Sequence, residues 1–91
     1  MNARRVVVKG KVQGVGFRAY VLRLACDRGI SGEVWNRRDG AVEMIAAHES
    51  DNQLDRFVDA LGGGPGLVVD VHANPTIAEG YSGEFTIGPT Q

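Results

Sequence analysis

A change in hydrophobic periodicity across a glycine-rich loop constrains the fold of this chain more than any other feature. Residues 5–12 are rich in valine and alternate between two faces, and a period of two is typical of a β-strand. After the loop at 13–16, apolar side chains recur at helical spacing over residues 17–25. Gly29 is placed to end this helix as a left-handed residue. The chain therefore begins as a strand, a tight loop and an amphipathic helix.

The middle of the chain predicts a hairpin followed by a second helix. Two strands are expected at residues 30–36 and 41–47, and the turn between them ends in Asp-Gly, a common hairpin dipeptide. Ser50 and Gln53 have the spacing of a capping box, in which each side chain bonds the other residue's backbone N–H. The glycine-rich stretch at 62–66 ends the helix. The apolar face of this second helix consists of Leu54, Phe57, Val58 and Leu61.

The last third of the chain completes a simple order of elements. Residues 67–73 alternate and predict a strand, 74–83 a loop, and 84–87 a short terminal strand. A chain of 91 residues has room for a single domain, 1–91. The order is βαββαβ plus the short last strand. We therefore expect an α+β fold, a two-layer α/β sandwich with both helices on one face of a mostly antiparallel sheet.

Composition excludes several classes of protein. The single cysteine, Cys26, rules out an internal disulfide and a zinc cluster of thiolates, and its apolar neighbours predict a core or boundary position. His48 and His72 have no carboxylate or histidine at ligand spacing, so no metal or cofactor is expected. The early apolar run at 6–8 is too short for a signal peptide or a membrane span. We expect a cytoplasmic, monomeric protein without a membrane partner.

Charge is distributed unevenly along the chain. The net charge of −1 argues against a general nucleic-acid binder. Residues 1–38 carry nine basic groups against two acids, a charge of +7, whereas residues 39–91 carry one basic group against nine acids, a charge of −8. Two interpretations stay open. The asymmetry could draw an anion toward one side of the molecule, or the two halves could pair with each other after folding.

The loop between the first strand and the first helix is the candidate anion site. Its glycines allow several backbone N–H groups to point at one spot, and the unpaired first-turn amides and the helix dipole favour an anion there. Arg18 falls at the helix start, where its planar guanidinium suits a phosphate group. Taken alone, the pattern also fits a tight turn with a surface arginine. It is not a Walker A loop, because no Gly-Lys-Ser/Thr sequence follows.

Two motifs resemble the signatures of the acylphosphatase family. The first is Gly10-x-Val12-Gln13-Gly14-Val15-Gly16-Phe17-Arg18. The second is Gly32-x-Val34-x-Asn36, followed by Asp39-Gly40-x-Val42-Glu43. The likeness extends over nearly the whole chain, including the closing Glu84-Phe85-x-Ile87. Positions 33, 35 and 48 depart from the usual pattern of the family, which has an aromatic residue, a basic residue and a nearby glycine there.

The resemblance implies a ferredoxin-like fold and hydrolysis of the carboxyl–phosphate bond of a small acyl phosphate, without metal or covalent intermediate. Inorganic phosphate or sulfate is then a competing anion. By position, Arg18 and Asn36 are implied as catalytic residues, with Asn36 orienting the attacking water. Taken alone, Asn36 also fits a strand-end residue that satisfies the following turn. The implied phosphate-binding residues are Gln13, Gly14, Val15, Gly16, Phe17 and Arg18.

Three other functions compete with this interpretation. RNA-recognition domains share the topology but place aromatic residues on their two central strands, and residues 4–12 and 41–48 contain none. The N-terminal domain of hydrogenase-maturation carbamoyltransferases carries the same loop, but usually has proline after the loop arginine, where this chain has Ala19. A catalytically idle family member that serves in folding or interaction is the third. We expect no nucleic-acid partner.

Overall fold

The predicted alternation of strands and helices is present in the computed structural model, which describes residues 1–77, 80–81 and 83–91. Five strands and two helices lie in that part of the chain. The predicted α+β class, with the ferredoxin-like order βαββαβ and a short last strand, is confirmed. The elements are β1 Asn2–Lys11, α1 Phe17–Asp27, β2 Ser31–Asn36, β3 Val42–His48, α2 Asp51–Leu61, β4 Leu67–Thr76 and β5 Phe85–Ile87.

The strands form one sheet with the order β4-β1-β3-β2-β5. Neighbouring strands are antiparallel except β2 and β5, which run parallel. Helix α1 packs against β2 and β5, and helix α2 packs against β1, β3 and β4. Both helices cover the same face of the sheet, and burial of the apolar side chains on that face supplies most of the favourable free energy of folding. The core side chains from the sheet include Val6, Val8, Val34, Val42, Met44 and Ala46.

Helix α1 ends as the sequence predicts. Gly29 has a φ of 67°, in the left-handed region. Its N–H donates to the carbonyl of Cys26 at 3.4 Å, and the N–H of Ile30 donates to the carbonyl of Ala25 at 2.9 Å. This pair of bonds is the Schellman motif, which satisfies carbonyls that the helix leaves free. Arg28, the residue before Gly29, is the C-cap.

Helix α2 begins with a cap that differs from the predicted capping box. The Ser50 side chain accepts a hydrogen bond from the N–H of Gln53 at 3.3 Å, as expected. The predicted reciprocal bond from the N–H of Ser50 to the Gln53 side chain is wrong. That N–H donates instead to Nδ1 of His48 at 2.9 Å. His48 is the last residue of β3, so it lies within reach of the cap. The histidine therefore performs the role that the sequence assigned to Gln53.

Strand β4 is longer than predicted. It continues to Thr76, so the first three residues of the predicted loop 74–83 belong to the sheet, where Pro75 pairs with Arg4 of β1. An Asn-Pro pair normally signals a turn. Proline is nevertheless tolerated in an edge strand, where its missing N–H can face solvent. Of the predicted loop, positions 78, 79 and 82 lie outside the described residues.

Two further side chains, Trp35 and Cys26, differ in their burial. Trp35 is buried on the sheet face opposite the helices, since its neighbour Val34 belongs to the core beneath them. Cys26 is exposed, so the prediction of a core or boundary position was wrong. The buried side of α1 carries Phe17, Val21 and Ala25, and a residue one position further lies about 100° around the helix. None of the helices in the described residues is long and apolar enough to cross a membrane.

Gly32 is a point of close approach between β2 and β3. Its φ is 141°, and a Cβ atom there would overlap the carbonyl oxygen of Ile45 on β3. Its N–H also donates to the carbonyl of Glu84 at 2.7 Å, next to β5. A side chain at this position would therefore push β2 away from the sheet. Because β2 ends at Asn36, the position of that residue depends on this contact.

We expect Gly32→Ala to lower the free energy of unfolding by about 3–4 kcal/mol, the sum of backbone strain and steric overlap. Gly29→Ala is the matched control: its φ is also positive, at 67°, but a Cβ would meet no atom within 4 Å. The control should lose only about 1–2 kcal/mol. Urea unfolding of both variants measures the difference. Equal losses would contradict the close approach.

Candidate active site

Two glycines shape the loop that joins β1 to α1. Gly14 and Gly16 have φ angles of 74° and 84°, in the left-handed region that glycine adopts without steric cost. Gly16 is the N-cap of α1, and no side chain of residues 1–77, 80–81 or 83–91 caps this helix. The start of α1 therefore lacks the side-chain oxygen that usually satisfies first-turn N–H groups.

The backbone N–H groups of residues 13–19 have no hydrogen-bond acceptor among the described residues. The first bond of the helix is donated by Tyr20 to the carbonyl of Gly16 at 3.1 Å. Successive unpaired amides at a helix N-terminus carry a partial positive charge of about half an elementary charge. An anion placed there would satisfy several donors at once.

Arg18 lies half-buried in the first turn of α1. No carboxylate among the described residues lies within 4.0 Å of its guanidinium. It lines a cleft of about 190 Å³. At about 30 Å³ per water molecule, this is room for roughly six waters, enough for a tetrahedral oxyanion. The cleft is also lined by Val12, Gly14, Gly16, Phe17, Ala19 and Ile87.

Hydrophobic contacts hold the loop in place on both sides of Gly16. Phe17 is 1% exposed, and its ring centroid lies 6.2 Å from that of Tyr20. A Cβ on Gly64 would lie 2.6 Å from the Phe17 ring, and a Cβ on Gly66 would lie 2.7 Å from Val15. The glycines after α2 therefore leave the space that these two loop side chains occupy. Phe17 lines the cleft, whereas Val15 and Gln13 are not among its described lining residues. The backbone N–H groups of all three have no acceptor among the described residues.

Gln13 directs its side chain away from the loop. Its Nε2 donates to the carbonyl of Arg37 at 2.7 Å and to the carbonyl of Ala41 at 2.9 Å. Both acceptors belong to the β2–β3 hairpin. The phosphate loop predicted from the sequence is therefore tied to the hairpin that carries Asn36.

Asn36 is the last residue of β2 and pairs with Val42 of β3. Its Oδ1 atom is buried, and no described residue donates a hydrogen bond to it. A buried acceptor without a donor costs about 1–3 kcal/mol, which a bound water or ligand could recover. Its backbone carbonyl accepts from the N–H of Gln91 at 2.9 Å, so the backbone of the residue is fixed at this end of β2. Among the described residues, Asn36 does not line the cleft of Arg18.

Asp39 holds the turn that follows Asn36. Its carboxylate accepts from the N–H of Ala41 at 3.1 Å and pairs with Arg37 at 2.8 Å. The bond from Ala41 and then the charge of Arg37 lower the pKa of Asp39 below its usual value. Because the pKa is depressed on folding, this stabilisation is present above the ordinary aspartate pKa of about 3.9. It is lost as pH falls through the folded value.

The charge asymmetry of the sequence is resolved in part by pairing. Arg4 bonds Asp51 at 2.8 Å, and Arg5 bonds Glu43 at 2.6 Å, so some basic groups of the first half neutralise acids of the second. Arg37 pairs within its own hairpin. Within residues 1–77, 80–81 and 83–91, six other basic side chains of the first half have no acidic partner: Lys9, Lys11, Arg18, Arg23, Arg28 and Arg38. Pairing between the two halves is therefore confirmed for part of the chain, and attraction of an anion by the remaining basic groups stays a prediction.

One lining residue escaped the sequence analysis. Ile87 of β5 is 42% exposed and forms part of the cleft wall beside Arg18. Alternation places Ile87 on the same strand face as Phe85, which is buried in the core. A pattern of burial alone could not show that the face continues into the cleft, since that depends on α1 lying over β5.

Within the part of the chain that the structure describes, the fold and the site define a class of protein: a small α+β domain with an uncapped helix start, an arginine without an acidic partner, and an asparagine at the end of β2. The family model described as acylphosphatase matches residues 4–87. An acylphosphatase of Thermotoga petrophila is 42% identical over 89 residues, which span 96% of this chain and 97% of that protein. The crystal structure of acylphosphatase from Bacillus subtilis superposes with a TM-score of 0.89 at 37% identity, covering 97% of this chain and 99% of that one.

The same domain architecture also occurs within a larger protein. Full-length HypF, crystallised in a phosphate- and nucleotide-bound form, superposes with a TM-score of 0.82 at 25% identity, covering 98% of this chain but 12% of HypF. The match over the full length of small relatives is the stronger one. The chain belongs to the acylphosphatase family. It is an enzyme, an acylphosphatase, whose substrate is an acyl phosphate.

Proposed function

We propose that the loop at 13–18 and Arg18 hold the phosphoryl group of a small acyl phosphate while Asn36 orients the attacking water. Water attacks phosphorus, the bond between phosphorus and the bridging oxygen breaks, and the products are a carboxylate, inorganic phosphate and a proton. We also propose that residues 1–91 act as one monomeric domain in the cytoplasm.

The observation that carries the proposal is a set of backbone amides at residues 13–19 with no acceptor among the described residues. Beside them lies Arg18, which has no carboxylate within 4.0 Å in the same part of the chain. A phosphoryl group brings equatorial oxygens whose charge such donors stabilise. Arg18 adds a planar pair of donors that can grip two oxygens at once. Negative charge that develops during phosphoryl transfer would therefore meet preorganised partners.

Hydrolysis of an acyl phosphate requires little beyond the positioning of the phosphoryl group and the attacking water. An acyl phosphate is already activated by its carboxylate leaving group, so no strong nucleophile is required. Phosphoryl transfer depends mainly on alignment and charge stabilisation. Asn36 offers an acceptor in Oδ1 and a donor in Nδ2. The Oδ1 atom, which has no donor among the described residues, supports its role as the acceptor of a hydrogen bond from the attacking water.

We expect hydrolysis of acetyl phosphate or benzoyl phosphate to proceed in the presence of EDTA, because the proposed groups stabilise charge without a metal. Release of inorganic phosphate with and without chelator is the measurement. Activity that is lost with EDTA and restored by a divalent ion would overturn the metal-free mechanism. Absence of any activity would favour the idle family member.

We expect inorganic phosphate to raise the free energy of unfolding by about 1.4 kcal/mol at ten times its dissociation constant, since it binds the native state. Arg18→Ala should abolish this shift, and Arg18→Lys should restore little of it because a point charge cannot reproduce two planar donors. Arg23→Ala is the matched control, since Arg23 is an exposed arginine of the same helix. Thermal unfolding in a phosphate series measures the effect. Equal shifts in Arg18→Ala and the parent would place the anion elsewhere.

We expect Asn36→Ala to lower kcat by about 10²–10³-fold, the usual effect of losing one preorganised polar group, while phosphate binding is retained. The reason is that Asn36 contacts water rather than the anion. Asn74→Ala, which changes an exposed asparagine of β4, is the control. Steady-state kinetics and the phosphate shift are measured together. A near-normal kcat for Asn36→Ala would refute the water-orienting role.

A further inference from the structure

The Gln13 side chain reaches the neck of the β2–β3 hairpin. Its Nε2 donates a hydrogen bond to the carbonyl of Arg37 at 2.7 Å and another to the carbonyl of Ala41 at 2.9 Å. The N–H of Arg37 also donates to the carbonyl of Ala41, at 2.8 Å, so these two residues close the hairpin where its strands part. A single side-chain amide therefore bridges both strands at the start of the turn.

The chemistry of this contact requires an amide. Both partners are carbonyl oxygens, which accept hydrogen bonds only, so the NH₂ group of Gln13 must face them. Both of its donor hydrogens are used. A carboxylate of the same size would repel the two carbonyls, and an apolar side chain would leave both without this donor. Backbone amides of the loop stay free for an anion in either case.

The bond partners of Gln13 adjoin Asn36. The N–H of Arg37 shares a planar peptide unit with the carbonyl of Asn36, and it donates to the carbonyl of Ala41. Because that carbonyl is also an acceptor of the Gln13 side chain, Gln13 restrains the partner of the peptide that carries Asn36. The carbonyl of Asn36 is held from the other side by Gln91. Strand β1, which leads into the loop, is separated from β2 by β3. The bond of Gln13 is therefore a direct link between the loop and the hairpin.

We propose that Gln13 is a positioning residue, whose side chain sets the distance between the anion held by the loop and the water held by Asn36. The proposal rests on the roles proposed above for Arg18 and Asn36. Its physical basis is that phosphoryl transfer requires the attacking oxygen in line with the leaving group. A displacement of about 1 Å at a reacting centre can cost about 10²-fold in rate.

The test is Gln13→Met, which keeps the length of the side chain and removes both donors. We expect kcat to fall by about 10-fold or more, while KM and the dissociation constant of phosphate change by no more than about 2-fold. In the Asn36→Ala background the same substitution should lower kcat by less than about 2-fold, because the group that Gln13 positions is gone. A purely structural role would not produce this dependence on Asn36.

Tyr20→Phe is the matched control. The Tyr20 hydroxyl donates to the carbonyl of Ala60 at 2.8 Å, so this substitution also removes a long-range bond from a side chain to the backbone. It should lower the melting temperature but leave kcat unchanged. Gln13→Asn keeps the amide but shortens it, and is the milder variant to use if Gln13→Met does not fold. We expect Gln13→Asn also to lower kcat while it leaves the dissociation constant of phosphate nearly unchanged.

Three outcomes would overturn the inference. The first is an unchanged kcat in Gln13→Met together with a slow Asn36→Ala enzyme. The second is a loss that is as large in the Asn36→Ala background as in the parent. The third is a phosphate affinity that weakens as much as kcat falls, which would mean that Gln13 shapes the loop instead. A near-normal kcat for Asn36→Ala alone is a different pattern, and overturns the proposed function together with the inference that rests on it.

Discussion

The arrangement of the site depends on the burial of Phe17. This ring fills the core between α1 and the glycines that follow α2, and its truncation to alanine would cost about 3–5 kcal/mol in a typical core. Because Phe17 is the first residue of the helix, its burial fixes where the helix begins. The free amides of the preceding loop and the guanidinium of Arg18 are then presented at a fixed place. Hydrophobic packing on one side of a single turn thus determines polar chemistry on the other side.

Much of the fold could be predicted from local pattern. The alternation in β1, the helical spacing in α1 and the left-handed Gly29 each depend on neighbours close in sequence, and each is present in the structure. One error arose where a distant contact outweighed local preference: Pro75 lies within an edge strand because β1 supplies its partner. At the cap of α2 the competitor was local, because His48 lies two residues before Ser50 and accepts the bond predicted for Gln53.

The candidate site likewise contains some residues that could be predicted from the sequence and others that could not. The loop and Arg18 are contiguous, so their association could be predicted from a few residues of sequence. The side-chain partners of Gln13 lie 24 and 28 positions away, and Ile87 reaches the cleft only because β5 pairs in parallel with β2. Such contacts depend on the order of strands in the sheet, which residue spacing does not encode. The buried, unpaired oxygen of Asn36 is likewise a property of the assembled hairpin.

The two helices begin in opposite ways. Ser50 has an extended backbone, with φ −99° and ψ 119°, and closes α2 with its own side chain. Gly16 has φ 84° and ψ 13°, and leaves α1 without such a cap. The left-handed backbone at Gly16 is outside the range in which a serine or aspartate can cap a helix, so a single substitution there would not close α1. The start of α2 is capped by its own chain, whereas the first N–H groups of α1 have no acceptor among the described residues. Under the proposed function an anion would supply that acceptor, so stability and ligand binding would depend on the starts of different helices.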